Sequence, residues 1–158
     1  QVKCWGTNGV GTLGSEDSIV RGAKPNDMGN SLPVVNLGTG RKARSLAPGS
    51  FHTCAILDNF SMKCWGDNDH GQLGYGNDHS VGDAADEMGD YLPAVAVAGS
   101  RRVTAAVAGY FTCALLDDGS LRCWGNNDYG QLGTGDLNAR GDDPNEMGLN
   151  LRPVPMTG

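Results

Sequence analysis

The chain contains Cys123-Trp124-Gly125-Asn126-Asn127-Asp128-Tyr129-Gly130-Gln131-Leu132-Gly133-Thr134-Gly135, the clearest of three copies of one motif. The second copy begins at Cys64-Trp65-Gly66 and the first at Cys4-Trp5-Gly6, so the tryptophans stand 60 and 59 residues apart. A fixed period of this size is the signature of a repeat architecture, in which each unit buries an apolar face against the next.

Each copy joins a predicted strand to a sharp turn. The apolar Cys-Trp pair ends the strand, and the Gly and Asn residues that follow tolerate the positive φ angles of tight turns. The second and third copies share the pattern Trp-Gly-x-Asn-x-x-Gly-Gln-Leu-Gly-x-Gly, which resembles the repeat of the regulator of chromosome condensation superfamily. The first copy departs from it at Thr12, which replaces Gln. The resemblance implies a β-propeller, usually a ring of seven four-stranded blades.

The elements of one period predict a propeller blade. An inner strand at residues 43–48, a hairpin of residues 52–57 and 61–65, and a proline-led strand at residues 92–95 give four strands. We therefore expect an all-β, single repeat domain over residues 1–158, with about two and a half to three blades. The first unit lacks the Thr-Cys strand, and the last stops before it, so we expect further repeats, a ring or an assembly to complete the structure.

Three sets of apolar residues recur with the period and are predicted to anchor the blades. The tryptophans are expected to pack in the cores rather than stack a ligand, and the flexible methionines to fill gaps between blades. These repeat anchors are Trp5, Trp65, Trp124, Leu13, Leu73, Leu132, Met28, Met88 and Met147.

Four of the five cysteines form repeat-matched pairs. Cys54 and Cys64 flank one predicted hairpin turn, and Cys113 and Cys123 flank the next, both ten residues apart. A three-residue loop places the members of each pair opposite each other, close enough for a disulfide. Two such disulfides predict an extracellular or cell-surface location. Reduced, buried cysteines of a cytosolic propeller are the alternative.

Cys4 is the odd cysteine. Its expected partner lies about ten residues upstream, before Gln1. The pattern therefore predicts either an intermolecular disulfide or a chain that is cut from a longer one.

Composition limits the partners. The formal net charge is −6 and the sequence pI is about 4.8, so we expect no nucleic-acid binding. The longest apolar runs are too short to span a bilayer, which predicts no membrane insertion. The chain starts at Gln1 and carries no signal peptide, which we interpret as a mature chain or a fragment.

The sequence offers no catalytic or cofactor motif. There is no serine triad, phosphate loop or His-Glu-x-x-His metal motif, so we predict no enzyme activity, no cofactor and no metal site. His52 stands two residues before Cys54, but this cysteine is predicted to be oxidised. The acidic turn at residues 67–69 resembles the start of a calcium loop, yet its twelfth position is Asp78 rather than Glu. Capping turns are the better interpretation, and the tripeptide at 140–142 is interpreted as a chance match to an adhesion motif.

Asn59-Phe60-Ser61 is a sequon for N-glycosylation on a predicted hairpin tip. With the paired cysteines, it favours an extracellular repeat protein that acts through protein contacts as a structural or adhesive scaffold. The unfinished repeats at both ends favour a homo-oligomer or filament. A binding or inhibitor module on one propeller face is the alternative, and a guanine-nucleotide exchange factor is the third hypothesis.

Overall fold

The computed structural model describes residues 1–156, and the fold is all-β. Two antiparallel three-stranded sheets carry the repeats, in the order β1-β2-β3 and β4-β5-β6, and are called blade 1 and blade 2. The strands are β1 (Ala43–Pro48), β2 (His52–Leu57), β3 (Met62–Gly66), β4 (Val103–Ala108), β5 (Phe111–Leu116) and β6 (Leu121–Gly125), and a 3-10 turn covers Gly29–Ser31. No helix in this part of the chain is long and apolar enough to cross a membrane.

The prediction of four strands per period was wrong in its last strand. Each proline-led segment is extended, but a single backbone hydrogen bond ties it to the blade. The amides of Val35, Val95 and Val154 donate to the carbonyls of Val2, Met62 and Leu121, at 2.8–2.9 Å. Proline has no N–H and cannot extend a hydrogen-bond ladder in both directions, so the segment stays outside the sheet.

Side chains of each hairpin alternate between two cores. Ala55, Leu57 and Trp65 of blade 1 pack backward, into a core shared with Val2 and Leu37. The other side of the hairpin packs forward against blade 2, in a core that includes Cys54, Ile56, Met62, Cys64 and Trp124. This alternation is the period of two that strand geometry imposes, and it makes every blade a layer between its neighbours.

Tryptophan side chains form hydrogen bonds between successive repeats. The Trp65 indole donates to the Thr12 carbonyl of the preceding turn at 3.1 Å, and the Trp124 indole donates to the Gln72 carbonyl at 3.0 Å. Both side chains are fully buried. A Cβ at Gly74 would lie 2.7 Å from the Trp124 Nε1 atom, so this turn needs glycine for the contact.

The first tryptophan is an exception, and its predicted core position was wrong. Trp5 is 61% exposed, whereas Trp65 and Trp124 are 0% exposed. The turn carbonyls that accept from Trp65 and Trp124 lie 53 and 52 residues upstream, and for Trp5 that position falls before Gln1. Within the described residues, no turn is therefore placed to cover this ring.

The methionines resemble the tryptophans, because each is covered only where a preceding repeat packs on it. Met88 is buried and its methyl group lies beside Gly14, while the Met147 methyl group lies beside Gly74. Met28 is 44% exposed, which corrects its predicted role as a gap-filling anchor. The preceding glycine that would pack on Met28 again falls before residue 1. Leu13, Leu73 and Leu132 are all buried.

Candidate protein-interaction face

Both predicted cysteine pairs are disulfides in the structure. The Cys54–Cys64 and Cys113–Cys123 sulfurs are 2.09 and 2.00 Å apart, and each pair is directly opposite in its hairpin. Both hairpin loops have a left-handed residue at the same position, with φ of 66° at Phe60 and 81° at Gly119. Cys4 has no disulfide partner in the part of the chain that the structure describes, and burial raises the pKa of its thiol.

Buried asparagines build the turns that follow each tryptophan. The Asn68 side chain accepts a hydrogen bond from the Leu73 amide at 2.9 Å and donates to the Asn77 and His79 carbonyls at 2.8 and 3.1 Å. Asn127 makes the equivalent bonds to Leu132, Asp136 and Asn138. The amide group thus replaces several backbone partners, and the turn resembling a calcium loop is held by capping, as predicted.

The tips of these turns are exposed, and their residues differ between copies. Where the frame repeats Asn, Gly and Leu, the two positions after the asparagine are Gly9-Val10, Asp69-His70 and Asp128-Tyr129. Tyr129 is 92% exposed, and Asp69, His70 and Asp128 are also exposed. A constant buried frame thus presents variable side chains to solvent.

Two further loops lie beside the turn tips. The loop between β1 and β2 carries Phe51, whose carbonyl accepts from the Asp67 amide at 3.0 Å. The loop between β4 and β5 carries Tyr110, whose carbonyl accepts from the Asn126 amide at 3.3 Å. Their rings form an edge-to-face pair with centroids 6.1 Å apart, and they are 49% and 60% exposed. We call this surface the turn face, made of residues 7–12, 49–51, 67–72, 109–110 and 126–131.

The turn face is aromatic and acidic. Its ranges contain Asp67, Asp69 and Asp128 but no lysine or arginine. An exposed aromatic pair surrounded by polar residues is the composition of a protein-binding patch. We therefore take the turn face as the candidate functional site.

His52 lies beneath this face, at the junction of the two blades. Its Nε2 atom lies 2.8 Å from the Thr112 hydroxyl, which donates to the Gln72 carbonyl at 2.8 Å. Because that hydroxyl proton is used, the imidazole donates from Nε2. Burial lowers the pKa of His52 to about 4. Since Cys54 is in a disulfide, the pair is not a Cys–His nucleophile.

The other sites considered from the sequence lie away from the turn face. Asn59 is exposed at the opposite end of the hairpin, where its Oδ1 atom accepts from the Ser61 amide and hydroxyl at 3.1 and 2.7 Å. The tripeptide at 140–142 is part of a blade contact: Arg140 pairs with Asp136 at 2.7 Å, and Gly141 is buried.

Sequence reasoning missed one repeated polar element. A carboxylate immediately before each methionine accepts hydrogen bonds from the backbone amides at the start of its loop. Glu87 accepts from Gly82, Asp83 and Ala84 at 2.7–3.1 Å, and Asp27 and Glu146 occupy the same place in the other copies. The signal was the acidic residue before every Met-Gly pair.

Family comparisons agree with this geometry. A family model described as "Regulator of chromosome condensation (RCC1) repeat" matches residues 64–116, and a second with the same description matches residues 44–72 and 105–131. Together they span residues 44–131, more than half of the chain. The chain belongs to the RCC1 repeat family.

Curated relatives are longer proteins. The ultraviolet-B receptor UVR8 of Arabidopsis thaliana is 32% identical over 142 residues, which is 89% of this chain and 28% of the receptor. The mitochondrial RCC1 domain-containing protein RUG3 of the same plant is 30% identical, over 84% of this chain and 28% of that protein. The human E3 ubiquitin-protein ligase HERC2 is 28% identical over 85% of this chain, which is 2% of the ligase.

Solved structures show the same fold. Human WBSCR16 superposes with a TM-score of 0.64 at 19% identity, over 98% of this chain and 34% of that one. Yeast RCC1 (Prp20), solved bound to Kap60, superposes with a TM-score of 0.60 at 20% identity, over 99% of this chain and 34% of that one. The chain thus spans about a third of these β-propeller proteins.

Proposed function

We propose that this chain is an extracellular RCC1-repeat scaffold that binds a protein partner through the turn face. The observation that carries the proposal is that each repeat combines buried residues that recur with exposed residues that differ. Framework residues such as Asn68 and Leu73 are buried and recur, whereas the tips His70 and Tyr129 differ and are exposed. A fold with a fixed frame and variable loops is suited to recognition rather than catalysis.

The chemistry of the turn face indicates the partner. Phe51, Tyr110 and Tyr129 offer apolar area with few rotatable bonds, and the same surface carries three aspartates. A protein segment that combines basic and apolar side chains would complement this surface. Nucleic acid would be repelled by the same aspartates, because binding to phosphates needs cations.

An extracellular location is supported by two features. Both hairpins carry a disulfide, and such bonds persist in oxidising compartments. The sequon residue Asn59 is exposed at a hairpin tip, where a glycan fits without disturbing a core. Peptide mapping of the native protein without reduction, before and after glycan removal, tests this location. Free thiols at all four positions would contradict it.

A cross-linking experiment tests the binding surface. Tyr129 is replaced by the photo-cross-linker benzoylphenylalanine on the turn face, and Tyr91, 71% exposed, is replaced as a matched control elsewhere. The proposal predicts a discrete partner adduct from position 129 that excess unmodified protein competes away. Equal adducts from both positions would contradict a turn-face partner. A stoichiometric complex with an enzyme that it inactivates would favour the alternative of an inhibitor module.

Self-association through the flanks is a second candidate, supported by the repeat contacts. The Trp65 and Trp124 indoles each insert behind a preceding turn, and the same turn recurs at Gln131 while Trp5 is exposed. A second copy can therefore place its Trp5 indole on the Gln131 carbonyl, as a head-to-tail contact that leads to a filament. Sedimentation should then show concentration-dependent growth that Trp5→Ala abolishes. A monomer at all concentrations would refute self-association. In that case a further repeat of the same polypeptide, packed on Trp5, would replace the contact between copies.

A further inference from the structure

A small basic depression opens at the opposite end of the strands from the turn face, between the β2–β3 hairpin tip and the start of β4. Its volume is about 290 Å³. The polar groups that line it are Asn59, Ser61, Ser100, Arg101 and Arg102, and the remaining lining is apolar. No carboxylate of the described residues lines it, although the whole chain has a net charge of −6.

Phe60 stands at the edge of this depression in an unfavourable backbone conformation. Its φ is 66°, a left-handed value that crowds the Cβ of a bulky side chain. Blade 2 has Gly119 at the same loop position, with φ of 81° and no atom within 4 Å of an added Cβ. The turn itself therefore does not need an aromatic residue, which suggests a role for the ring.

Two arginines from neighbouring blades stack on the Phe60 ring. The Cζ atoms of Arg44 and Arg102 lie 4.4 and 5.1 Å from the ring centroid. Stacking holds a guanidinium plane and leaves the N–H groups on its edge available to a ligand. The two positive charges lie within about 10 Å of each other, so an anion between or beside them would relieve their repulsion.

These two arginines differ from the others at this end of the strands. Arg41 pairs with Asp58 at 3.4 Å, and Arg101 pairs with Asp117 and Asp118 at 3.7 and 3.3 Å. Among residues 1–156, no carboxylate oxygen lies within 4.0 Å of the Arg44 or Arg102 guanidinium. The nearby aspartates are thus engaged with other arginines, and the stacked pair keeps its charge.

We propose that the depression binds an oxyanion group, a sulfate or phosphate ester on a small molecule or glycan. Arg102 contributes N–H donors from the wall, Ser100 adds a donor beside it, and Arg44 adds positive charge nearby. A sulfate or phosphate ester presents three free oxygens to these donors, whereas a carboxylate presents two. This site is separate from the turn face and does not depend on the protein partner proposed there.

Titration calorimetry with defined probes tests the site. The probes are inorganic sulfate, glucose 6-sulfate, glucose 6-phosphate and, as a carboxylate control, glucuronate. We expect millimolar binding of at least one ester, with glucuronate at least tenfold weaker. The sulfate and phosphate arms identify which ester the site prefers.

Three variants locate the binding. Arg102→Gln should weaken the preferred ester at least tenfold, because a charged hydrogen-bond donor is lost. Phe60→Gly, which installs the residue of blade 2, should also weaken binding while the melting temperature stays equal or rises. Arg152→Gln makes the same charge change at an exposed position outside the depression and should bind like the original protein. Absence of binding at millimolar concentrations, equal binding by all variants or preference for glucuronate would overturn the proposal.

Discussion

Trp65 and Trp124 show how a single residue can join two repeats. Each ring fills the core of its own blade and donates to a carbonyl of the preceding turn. We expect Trp65→Ala and Trp124→Ala to lower the free energy of unfolding by about 3–5 kcal/mol, the range for large aromatic residues removed from a core.

Trp5 is the built-in control for this prediction. Because it is 61% exposed, Trp5→Ala should change the unfolding free energy of the isolated monomer by less than about 1 kcal/mol. Urea unfolding of all three variants under the same conditions makes the comparison. Similar losses of unfolding free energy for all three variants would contradict the exposed position of Trp5.

His52 gives the fold a pH dependence. Its pKa is about 4 in the folded chain, below the ordinary 6.5, because burial disfavours the imidazolium form. Between these values the unfolded chain binds a proton that the folded chain does not, so stability falls as the pH falls from about 6.5 to 4. The loss from this one group reaches up to about 3 kcal/mol.

His52→Phe isolates that contribution, since Phe111 occupies the same place in blade 2. Unfolding free energies are measured at pH 7 and pH 4 for both proteins. The variant should lose less stability on acidification than the original chain, by the amount assigned to His52. Identical pH dependence would show that the imidazole is not buried as described.

At the scale of elements, the hairpins depend on their disulfides. Each links opposed residues of two adjacent strands and closes a loop of ten residues. Replacing Cys54 and Cys64 together by Ala should cost about 2–3 kcal/mol by the chain-entropy estimate. Cys4→Ala removes a half-buried thiol without breaking a bond, so its smaller effect on thermal unfolding serves as the control.

The backbones of successive repeats approach closely, and this leads to a second prediction about the elements. A Cβ at Gly71, where φ is 72°, would collide with the Asp142 amide nitrogen, so Gly71→Ala must displace the loop of the next repeat. Gly135 has a similar φ of 83° but nothing within 4 Å. We expect Gly71→Ala to cost about 2–5 kcal/mol and Gly135→Ala about 1–2 kcal/mol, measured by chemical denaturation. Equal costs would mean that only backbone strain matters here.

The elements show what the sequence could predict. Period, hairpins and disulfides followed from local signals: the ten-residue cysteine spacing, the loop residues and the alternation of apolar side chains. The prediction of a fourth strand was wrong because a proline-led extended segment resembles a strand in sequence. Only the structure shows that a single backbone hydrogen bond joins this segment to its blade. The predicted core position of Trp5 was wrong because the motif does not indicate whether a neighbouring repeat covers the ring.

The candidate site was harder to predict than the fold. Phe51 and Tyr110 recur 59 residues apart, but their ring pair joins two blades, and so does the stacking of two arginines on Phe60. Such contacts depend on the rotation between blades, which the sequence period does not specify. The capping carboxylates, by contrast, have a signal in every copy, which is the acidic residue before each Met-Gly pair.

At the scale of the whole molecule, the two ends of the strands have different chemistry. The turn face presents aromatic residues and aspartates, and the opposite end presents the basic depression beside the sequon at Asn59. Since both blades contribute side chains to one shared core, a ligand at either end would meet a packed support. The two proposed ligands, a protein partner and an oxyanion, would therefore occupy separate surfaces.

Replacing five side chains of the turn face by Ser tests the central claim most directly. They are Val10, Phe51, His70, Tyr110 and Tyr129. We expect a melting temperature within a few degrees of the original, because these side chains are outside the repeat frame. We also expect loss of the partner adduct that benzoylphenylalanine at Asp69, an exposed position of the turn face, captures in the otherwise unchanged protein. An unchanged adduct, or a variant that no longer folds, would contradict the division into a buried frame and a binding face.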